Sequence, residues 1–570
     1  MLKVVTTQQM RDIEKAADAG GLSYATMMEN AGRAVALATQ RYIGDVDGKK
    51  IFVLVGPGNN GGDGLVAARY LHQEGAHAVL YIWKREPEGD ENFRLAQEQK
   101  IPLVWAEEDA KLTKLRNLLR QADAIIDALL GTGVSRPIKG TLKEILEAVQ
   151  KEVDKRGEAR YRMPEAEGFS TLQPVPDIPQ IETPAQASIP SLPIIAVDVP
   201  SGLNCDTGNV DPTTMPADLT VTFGFPKVGQ FLFPGAEYVG QLIVADIDIP
   251  PQLAAEVEIE LATAESIKGL LPKRPLGAHK GTFGKALVVA GSVNYTGAAY
   301  LAGAAATRVG TGLVTMALAR SLYPPLAAKL SESTFLLLPE DMGIIVPEAI
   351  ELLDETWPDY QALLLGPGLG RERKTVEFVQ RFLSVEPLAR RAPIGFLAAT
   401  EEVTKRDRTL PPMVIDADGL NALADTPEWW SRLNCAVVLT PHPGEMARLA
   451  GLSVAEVKAD RLGVAQRMAA QWGQVVVLKG AYTLIAAEGR TVINPFANPG
   501  LATAGSGDVL AGAIVGFLAQ GLGPWAAAVV GAYVHCLAGE LVRAKMGARG
   551  MVAGDLLAAL PAALRLIEQN

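Results

Sequence analysis

Apolar runs of strand length that end in glycine or aspartate and give way to helical periodicity recur along almost the whole of this 570-residue chain. IFVLVG at 51–56, AVLYIW at 78–83, AIIDAL at 124–129 and IIAVDV at 194–199 mark the first half. ALVVAG at 286–291, ALLLG at 362–366, MVIDAD at 413–418, VVLTP at 437–441 and VVVLKG at 475–480 mark the second. A short continuous apolar run has no solvent-facing side, so it suits a strand of a parallel sheet covered by helices on both faces. The expected class is therefore α/β, and the length calls for more than one core. The boundary is placed near 255, where a strand runs through Pro250-Pro251 into a fresh helix and then a new glycine-rich block; this gives domains 1–255 and 256–570. Residues 157–193 carry seven prolines and no apolar periodicity, which predicts an exposed insert. The polar segments 85–93 and 399–412 read as solvated loops.

The charge balance excludes some partners. Lys plus Arg number 53 against 64 Asp plus Glu, a net charge of −11, so the overall field repels polyanions and nucleic acid is not an expected ligand. Cys205, Cys435 and Cys536 are far apart, which supports neither a disulfide framework nor a structural zinc site and points to a reducing compartment. The N-terminus lacks the apolar core of a signal peptide, and a cytoplasmic location is expected. No Asp, Glu, Lys or Arg occurs between Asp508 and Glu540, but QGLGPW at 520–525 interrupts the stretch, predicting two buried helices instead of a membrane span.

The strand ends carry the chemistry. GPGNNGGDG at 56–64 lies between a strand and a helical pattern, where backbone N–H groups at a helix N-terminus receive an anion; Asn59, Asn60 and Asp63 add side-chain oxygens that a plain phosphate cradle does not need, and a plain tight turn is the alternative. LLGTGVSRP at 129–137 and AVDVPSGLNCDTG at 196–208 follow other strands. Asn60, Asp127, Asp198 and Ser201 could thus share one crevice, with oxygen ligands suited to a hard cation. Helix capping is the alternative for each aspartate taken singly.

In the second half, GSGD at 505–508 runs directly into a helix, so its N–H groups and the helix dipole can hold a phosphoryl group. Asp508 is placed to accept a hydroxyl proton; its alternative role is an N-cap. His442, between two prolines in a strand-end loop, is expected to face ligand.

NNGGDG, LLGTG, VDVPSGLNCDTG and TFGFPKVGQFLFPG together resemble the NAD(P)H-hydrate epimerase family over about residues 1–250. This resemblance implies a Rossmann-like three-layer domain that interconverts R- and S-NAD(P)HX with bound K+. It implies that Asn60, Asp127 and Ser201 ligate the potassium. It also implies that Asn59, Asn60, Gly61, Gly62, Asp63, Gly131, Thr132, Gly133, Val134, Ser135, Arg136, Pro137 and Asp198 bind the hydrate, Asp198 at the reacting ring.

GSGD resembles the anion hole of the ribokinase-like superfamily. With HKGTFG, PGLG, DADGLNAL and TPHPGE it resembles the ADP-dependent NAD(P)H-hydrate dehydratases over about 260–570. That implies a three-layer ribokinase-like domain in which ADP and Mg2+ serve dehydration of S-NAD(P)HX to NAD(P)H, AMP and phosphate. Asp508 would be the base; Gly312, Gly368, His442 and Asp508 would contact substrate; Lys479, Gly480, Ala481, Tyr482, Thr483 and Gly507 would hold the nucleotide. A homo-oligomer is implied as well. The rival is a ribokinase-like kinase of a sugar or vitamin precursor carrying a nucleotide-sensing N-terminal module.

Overall fold

The computed structural model describes residues 1–133, 136–156, 170–171, 192–384 and 409–569. They form two compact units, Leu2–Ile259 and Glu260–Asn570. Val134 and Ser135, most of the Pro-rich segment and residues 399–408 lie outside the described residues.

In the first unit seven parallel strands, Lys50–Val55, His77–Ile82, Leu103–Trp105, Ala124–Ala128, Ile194–Val197, Leu219–Phe223 and Gln241–Ala245, stand in the order third, second, first, fourth, fifth, sixth, seventh. Ser170–Thr171 adds a short parallel strand beside the seventh. Side chains alternate across the sheet as the pleat demands. Ile51, Val53 and Val55 enter one core with Ala31, Val35, Leu65 and Leu71 of the helices Tyr24–Ile43 and Asn59–Gln73. Phe52 and Leu54 enter a second core with Leu115, Leu119, Leu142 and Ile145. Both faces are covered, and the continuous apolar runs follow from that.

The segment 85–93 is exposed at 86–89, as expected of a solvated loop, and is anchored at its two ends. The Arg85 Nε donates to Asp90 Oδ2 at 2.5 Å, both side chains are largely buried, and Asp90 caps the helix Glu91–Glu98.

The second unit repeats the strand order with Lys285–Val289, Leu313–Ala319, Thr334–Leu338, Ala362–Leu365, Met413–Ile415, Val437–Leu439 and Val475–Leu478, all parallel. The antiparallel strands Leu484–Ala487 and Arg490–Ile493 extend it. The uncharged stretch forms the helices Ser506–Ala519 and Pro524–Met546. The latter is long and apolar enough to cross a membrane, but 78% of its apolar window is buried within the protein.

Helix Ser506–Ala519 packs directly on Thr296–Arg308, and small residues set the distance. A Cβ on Gly512 would stand 2.2 Å from the Ala302 carbonyl oxygen. Gly512→Ala should therefore force the helices apart at a cost of about 1–3 kcal/mol, measured as a lower thermal unfolding midpoint. An unchanged midpoint would contradict this packing.

Candidate active sites

In each unit the first and fourth strands lie side by side and their connections run in opposite directions, which opens a crevice at the carboxyl edge of the sheet. In the first unit that edge receives Gly56 and Leu129. Gly58 is the N-cap of the helix Asn59–Gln73 and supplies no side-chain cap, so the opening N–H groups lack intrahelical acceptors. The loop is fixed from outside: Arg85 NH1 donates to the carbonyls of Gly56 and Gly58, each at 2.9 Å. Asn59 is exposed, whereas Asn60, Gly61, Gly62 and Asp63 are buried.

Asn60, Asp127 and Ser201 do come together. Asp127 Oδ1 accepts from Ser201 Oγ at 2.7 Å and Oδ2 from the Ser201 N–H at 2.9 Å. The Leu130 N–H donates to Ser201 Oγ at 2.9 Å, and Asn60 Nδ2 donates to the Leu130 carbonyl at 3.1 Å. Gly131 packs on Asn60. Thr132 is half-buried, while Gly133, Arg136 and Pro137 line the exposed continuation of this turn. Burial raises the Asp127 pKa against the lowering effect of these hydrogen bonds, and among the described residues no cation pairs with it.

Asp198 sits in a second cluster with backbone φ at 61°, a conformation uncommon outside glycine. Its Oδ1 accepts from Lys227 Nζ at 2.6 Å and from Thr222 Oγ1 at 2.8 Å, and Gln230 holds its carbonyl. Lys227 Nζ also reaches Thr222 Oγ1 at 2.9 Å and the Phe223 carbonyl at 3.3 Å, so its charge is fully engaged although the side chain is 1% exposed. Burial, then Asp198 and Glu14, pushes Asp63 well above the usual carboxylate range. Burial likewise raises Glu14. Sequence reading passed over Lys227, Glu14 and Arg85; the only available signal was a lysine inside the otherwise apolar TFGFPKVGQF.

In the second unit Gly505, at φ 88°, is the N-cap of Ser506–Ala519, so Asp508 stands in the first turn and is not the cap. Its carboxylate makes no hydrogen bond among the described residues and remains free to take a proton. Burial and then Asp416, with smaller contributions from Asp418 and Glu445, outweigh Lys479 and raise its pKa to about 7. Lys479 Nζ donates to Asp416 Oδ1 at 2.7 Å and lies 3.6 Å from Glu445 Oε2. Thr440 Oγ1 donates to the same Asp416 oxygen at 2.8 Å. Burial opposes the Lys479 charge, but Asp416 and Glu445 prevail and raise its pKa. A Cβ on Gly507 would lie 3.4 Å from Lys479 Nζ, which puts a cation against the opening of the helix. His535 Nε2 lies 2.9 Å from the Ser506 carbonyl oxygen, and burial lowers its pKa to about 4, so the ring is a neutral donor. Asp416 and His535 were not singled out from sequence.

The other expected residues divide. Gly480, Ala481, Tyr482 and Thr483 form the turn after Lys479, closed by Thr483 Oγ1 donating to the Gly480 carbonyl at 2.8 Å. Gly368 lies where the first and fourth strands part, beside Tyr295. His442 caps the helix Pro443–Ala450 by accepting from Gly444 N–H at 2.9 Å, and only its Nε2 edge is left to face elsewhere, 3.5 Å from Glu445 Oε1. Gly312 is set apart. It precedes the strand Leu313–Ala319 and packs on the Lys280 carbonyl at the amino edge of the sheet. The Gly516 turn of helix Ser506–Ala519 reaches that edge through Thr311, so the stretch of helix from Asp508 to Gly516, about 12 Å at 1.5 Å per residue, separates Gly312 from Asp508. Motif order along the chain does not report the edge of the sheet at which a loop emerges, and this is why the two were grouped.

Fold and sites together define a two-domain α/β enzyme whose second half gathers Asp508, Lys479 and Asp416 at a helix opening. A family model described as YjeF-related protein N-terminus matches residues 24–229, and one described as NAD(P)H-hydrate dehydratase matches 286–562. The chain belongs to the bifunctional NAD(P)H-hydrate repair enzymes. It is 37% identical to a member from Moorella thermoacetica, covering 100% of this chain and 97% of that one. It is 32% identical to a member from Escherichia coli K12, covering 96% and 91%. An ADP/ATP-dependent NAD(P)H-hydrate dehydratase from Bacillus subtilis, co-crystallized with ATP/Mg2+, is 30% identical over 54% of this chain and 99% of its own, with a TM-score of 0.44.

Removing Lys227 leaves Asp198 uncompensated. Lys227→Met should cost about 3–5 kcal/mol, read as a lower urea midpoint for the first unit; a midpoint within error of wild type would show the pair to be dispensable.

Proposed function

We propose that the chain repairs hydrated reduced nicotinamide cofactors in two steps, with Asp508, the Gly505–Gly507 helix opening and Lys479 as the centre of the second. The observation that carries this reading is an unbonded, half-buried carboxylate with a pKa near 7, beside an ammonium, at a helix N-terminus. Asp508 accepts the proton of the C6 hydroxyl of S-NAD(P)HX as that oxygen attacks the terminal phosphorus of ADP. AMP departs, and the helix N–H groups and Lys479 balance charge on the phosphoryl group in flight. Phosphate, a far better leaving group than hydroxide, then leaves C6 while a proton leaves C5, restoring the ring double bond of NAD(P)H. Asp416 and Thr440 hold Lys479 in place throughout. Mg2+ fits here because the carboxylates outnumber Lys479; Glu445 and the nucleotide phosphates would hold it, and it would neutralise those phosphates.

In the first unit Asp198, supported by Lys227, engages the C6 substituent and supplies the S epimer from the R epimer. The loop 59–63 and the turn 131–137 receive the rest of the dinucleotide. Potassium fits the oxygens of Asp127, Ser201, Asn60 and the Leu130 carbonyl, since Asp127 has no protein cation beside it; K+ would supply that charge and brace the two loops. On this reading the enzyme works in the cytoplasm as a homo-oligomer on small-molecule substrates, without nucleic acid or membrane.

The test follows recovery of dihydronicotinamide absorbance from mixed R- and S-NADHX with ADP, Mg2+ and K+. Wild type should recover all of it. Asp508→Asn should lose on the order of 10²–10⁴-fold in rate, and Asp198→Ala should stall once the S fraction is consumed. Conversion of ATP to ADP without recovery would favour the kinase rival.

The base must be ionised, so the dehydration rate should fall about tenfold per pH unit below the Asp508 pKa of about 7 and level off above it. A rate flat from pH 5 to 8 would remove Asp508 from that role. Replacing K+ by tetramethylammonium should slow epimerisation and leave dehydration of pure S-NADHX unchanged; equal rates in both salts would refute the potassium assignment.

A further inference from the structure

The two proposed steps leave Glu14 without a task, yet the fold carries it to the crevice of the first unit. The chain before the helix Thr7–Ala19 is zipped onto the segment after the sixth strand: the Val5 N–H donates to the Pro226 carbonyl at 2.9 Å, and the Val228 N–H to the Val5 carbonyl at 3.1 Å. In the loop after the fifth strand, Asp206 Oδ1 accepts from the Thr7 N–H at 2.7 Å. A Cβ on Gly133, in the turn after the fourth, would stand 3.8 Å from Arg11 NH2. The N-terminal segment thus lies across the carboxyl edge of three adjacent strands, and Asp198 follows the middle one. Met10, Ile13 and Ala17 are the stripe of the helix that enters the core. At about 3.6 residues per turn, Thr7, Arg11 and Glu14 share the adjoining face, the one Arg11 turns to Gly133.

Glu14 is half-buried and makes no hydrogen bond or ion pair among the described residues. Burial raises its pKa against the charge of Lys227, Asp198 raises it further, and Arg11 opposes. Asp198 has an oxygen to spare: Lys227 and Thr222 both donate to Oδ1, and Oδ2 has no partner among the described residues. A half-buried carboxyl without a bond is a cost to the fold and not a support. Its chemistry fits the reaction. Inverting C6 breaks the bond to the hydroxyl oxygen, which takes a proton and departs as water while the ring nitrogen supplies the electron pair. Water then adds to the opposite face and gives up a proton, so atoms and electrons balance and two proton carriers are needed. We propose that Glu14 is the second proton carrier of the epimerase site: it protonates the departing oxygen while Asp198 Oδ2 takes the proton of the incoming water, the roles exchanging in the reverse direction. The proton left on Asp198 returns to Glu14 through solvent. The inference rests on the reading of the first unit as the epimerase.

Conversion of purified R-NADHX to the S epimer by the full chain, followed by chromatography, separates this role from simple packing when it is paired with urea unfolding of the first unit. Glu14→Gln should lower kcat for epimerisation about a hundredfold or more and leave KM within threefold. Its urea midpoint should lie at or above that of wild type, because the substitution breaks no bond and removes an unpaired acid. Dehydration of pure S-NADHX by the same variant should keep the wild-type rate. An unchanged kcat would overturn the proposal. A loss of epimerisation matched by a lower midpoint would also overturn it, since Glu14 would then be a structural brace. Failure of wild type to convert R-NADHX faster than the uncatalysed exchange would instead strike the epimerase reading itself, and is distinguished by needing no variant.

Discussion

A parallel strand covered on both faces can offer polar groups only at its ends, and this constraint governs both units. Within Lys50–Val55 or Val475–Leu478 a charge would have no water and no free ladder partner. Asp127, Asp198, Asp416 and Lys479 all fall at or just past the carboxyl end of a strand. Since every strand of a parallel sheet points the same way, residues far apart in sequence arrive at one edge. Asp127 and Ser201 meet at 2.7 Å because the fourth and fifth strands are adjacent, and Asp416, Thr440 and Lys479 meet because the fifth, sixth and seventh are.

The two units also answer the cost of burial in the same way. In each, an aspartate immediately after the fifth strand pairs with a lysine from a later strand end, and a threonine donates to the same carboxylate oxygen: Asp198 with Lys227 and Thr222, Asp416 with Lys479 and Thr440. Breaking such a pair is expensive, whereas forming it contributes little net stability. Its value lies in holding an ammonium still at the sheet edge. The difference between the units lies in what surrounds the pair. Near Lys227 the neighbouring acids Asp63 and Glu14 are pushed upward by burial, and near Lys479 it is Asp508.

The strands were legible because their apolar continuity is a property of the chain alone. Asp127 and Ser201 were legible because each sits in a glycine-rich strand-end motif. Lys227 was not, because a lysine within TFGFPKVGQF is buried only once the sixth strand lies beside the fifth, a non-local event. Asp416 was hidden for a related reason: DADG reads locally as a helix start, and only the approach of Lys479 from 63 residues away makes it an ion-pair partner. Gly312 shows the converse error, since a glycine motif gives no sign of which edge of the sheet it faces. Glu14 carries no sequence signal, for a missing partner cannot be read from a string of letters.

The placement of Asp508 shows why the cap belongs to glycine. Had the aspartate been the N-cap, its oxygens would have accepted from the opening N–H groups, which lowers a carboxylate pKa and occupies the lone pairs a base needs. Gly505 at φ 88° turns the chain into the helix without consuming those N–H groups, and Asp508 follows in the first turn with its oxygens free. The helix dipole favours its ionised form, yet burial and the charge of Asp416 win and hold it near neutrality. His535, kept neutral by burial, binds the Ser506 carbonyl without adding a cation that would reverse that balance. The open N–H groups of the helix and the unbonded carboxylate of Asp508 thus occupy one helical turn without neutralising each other.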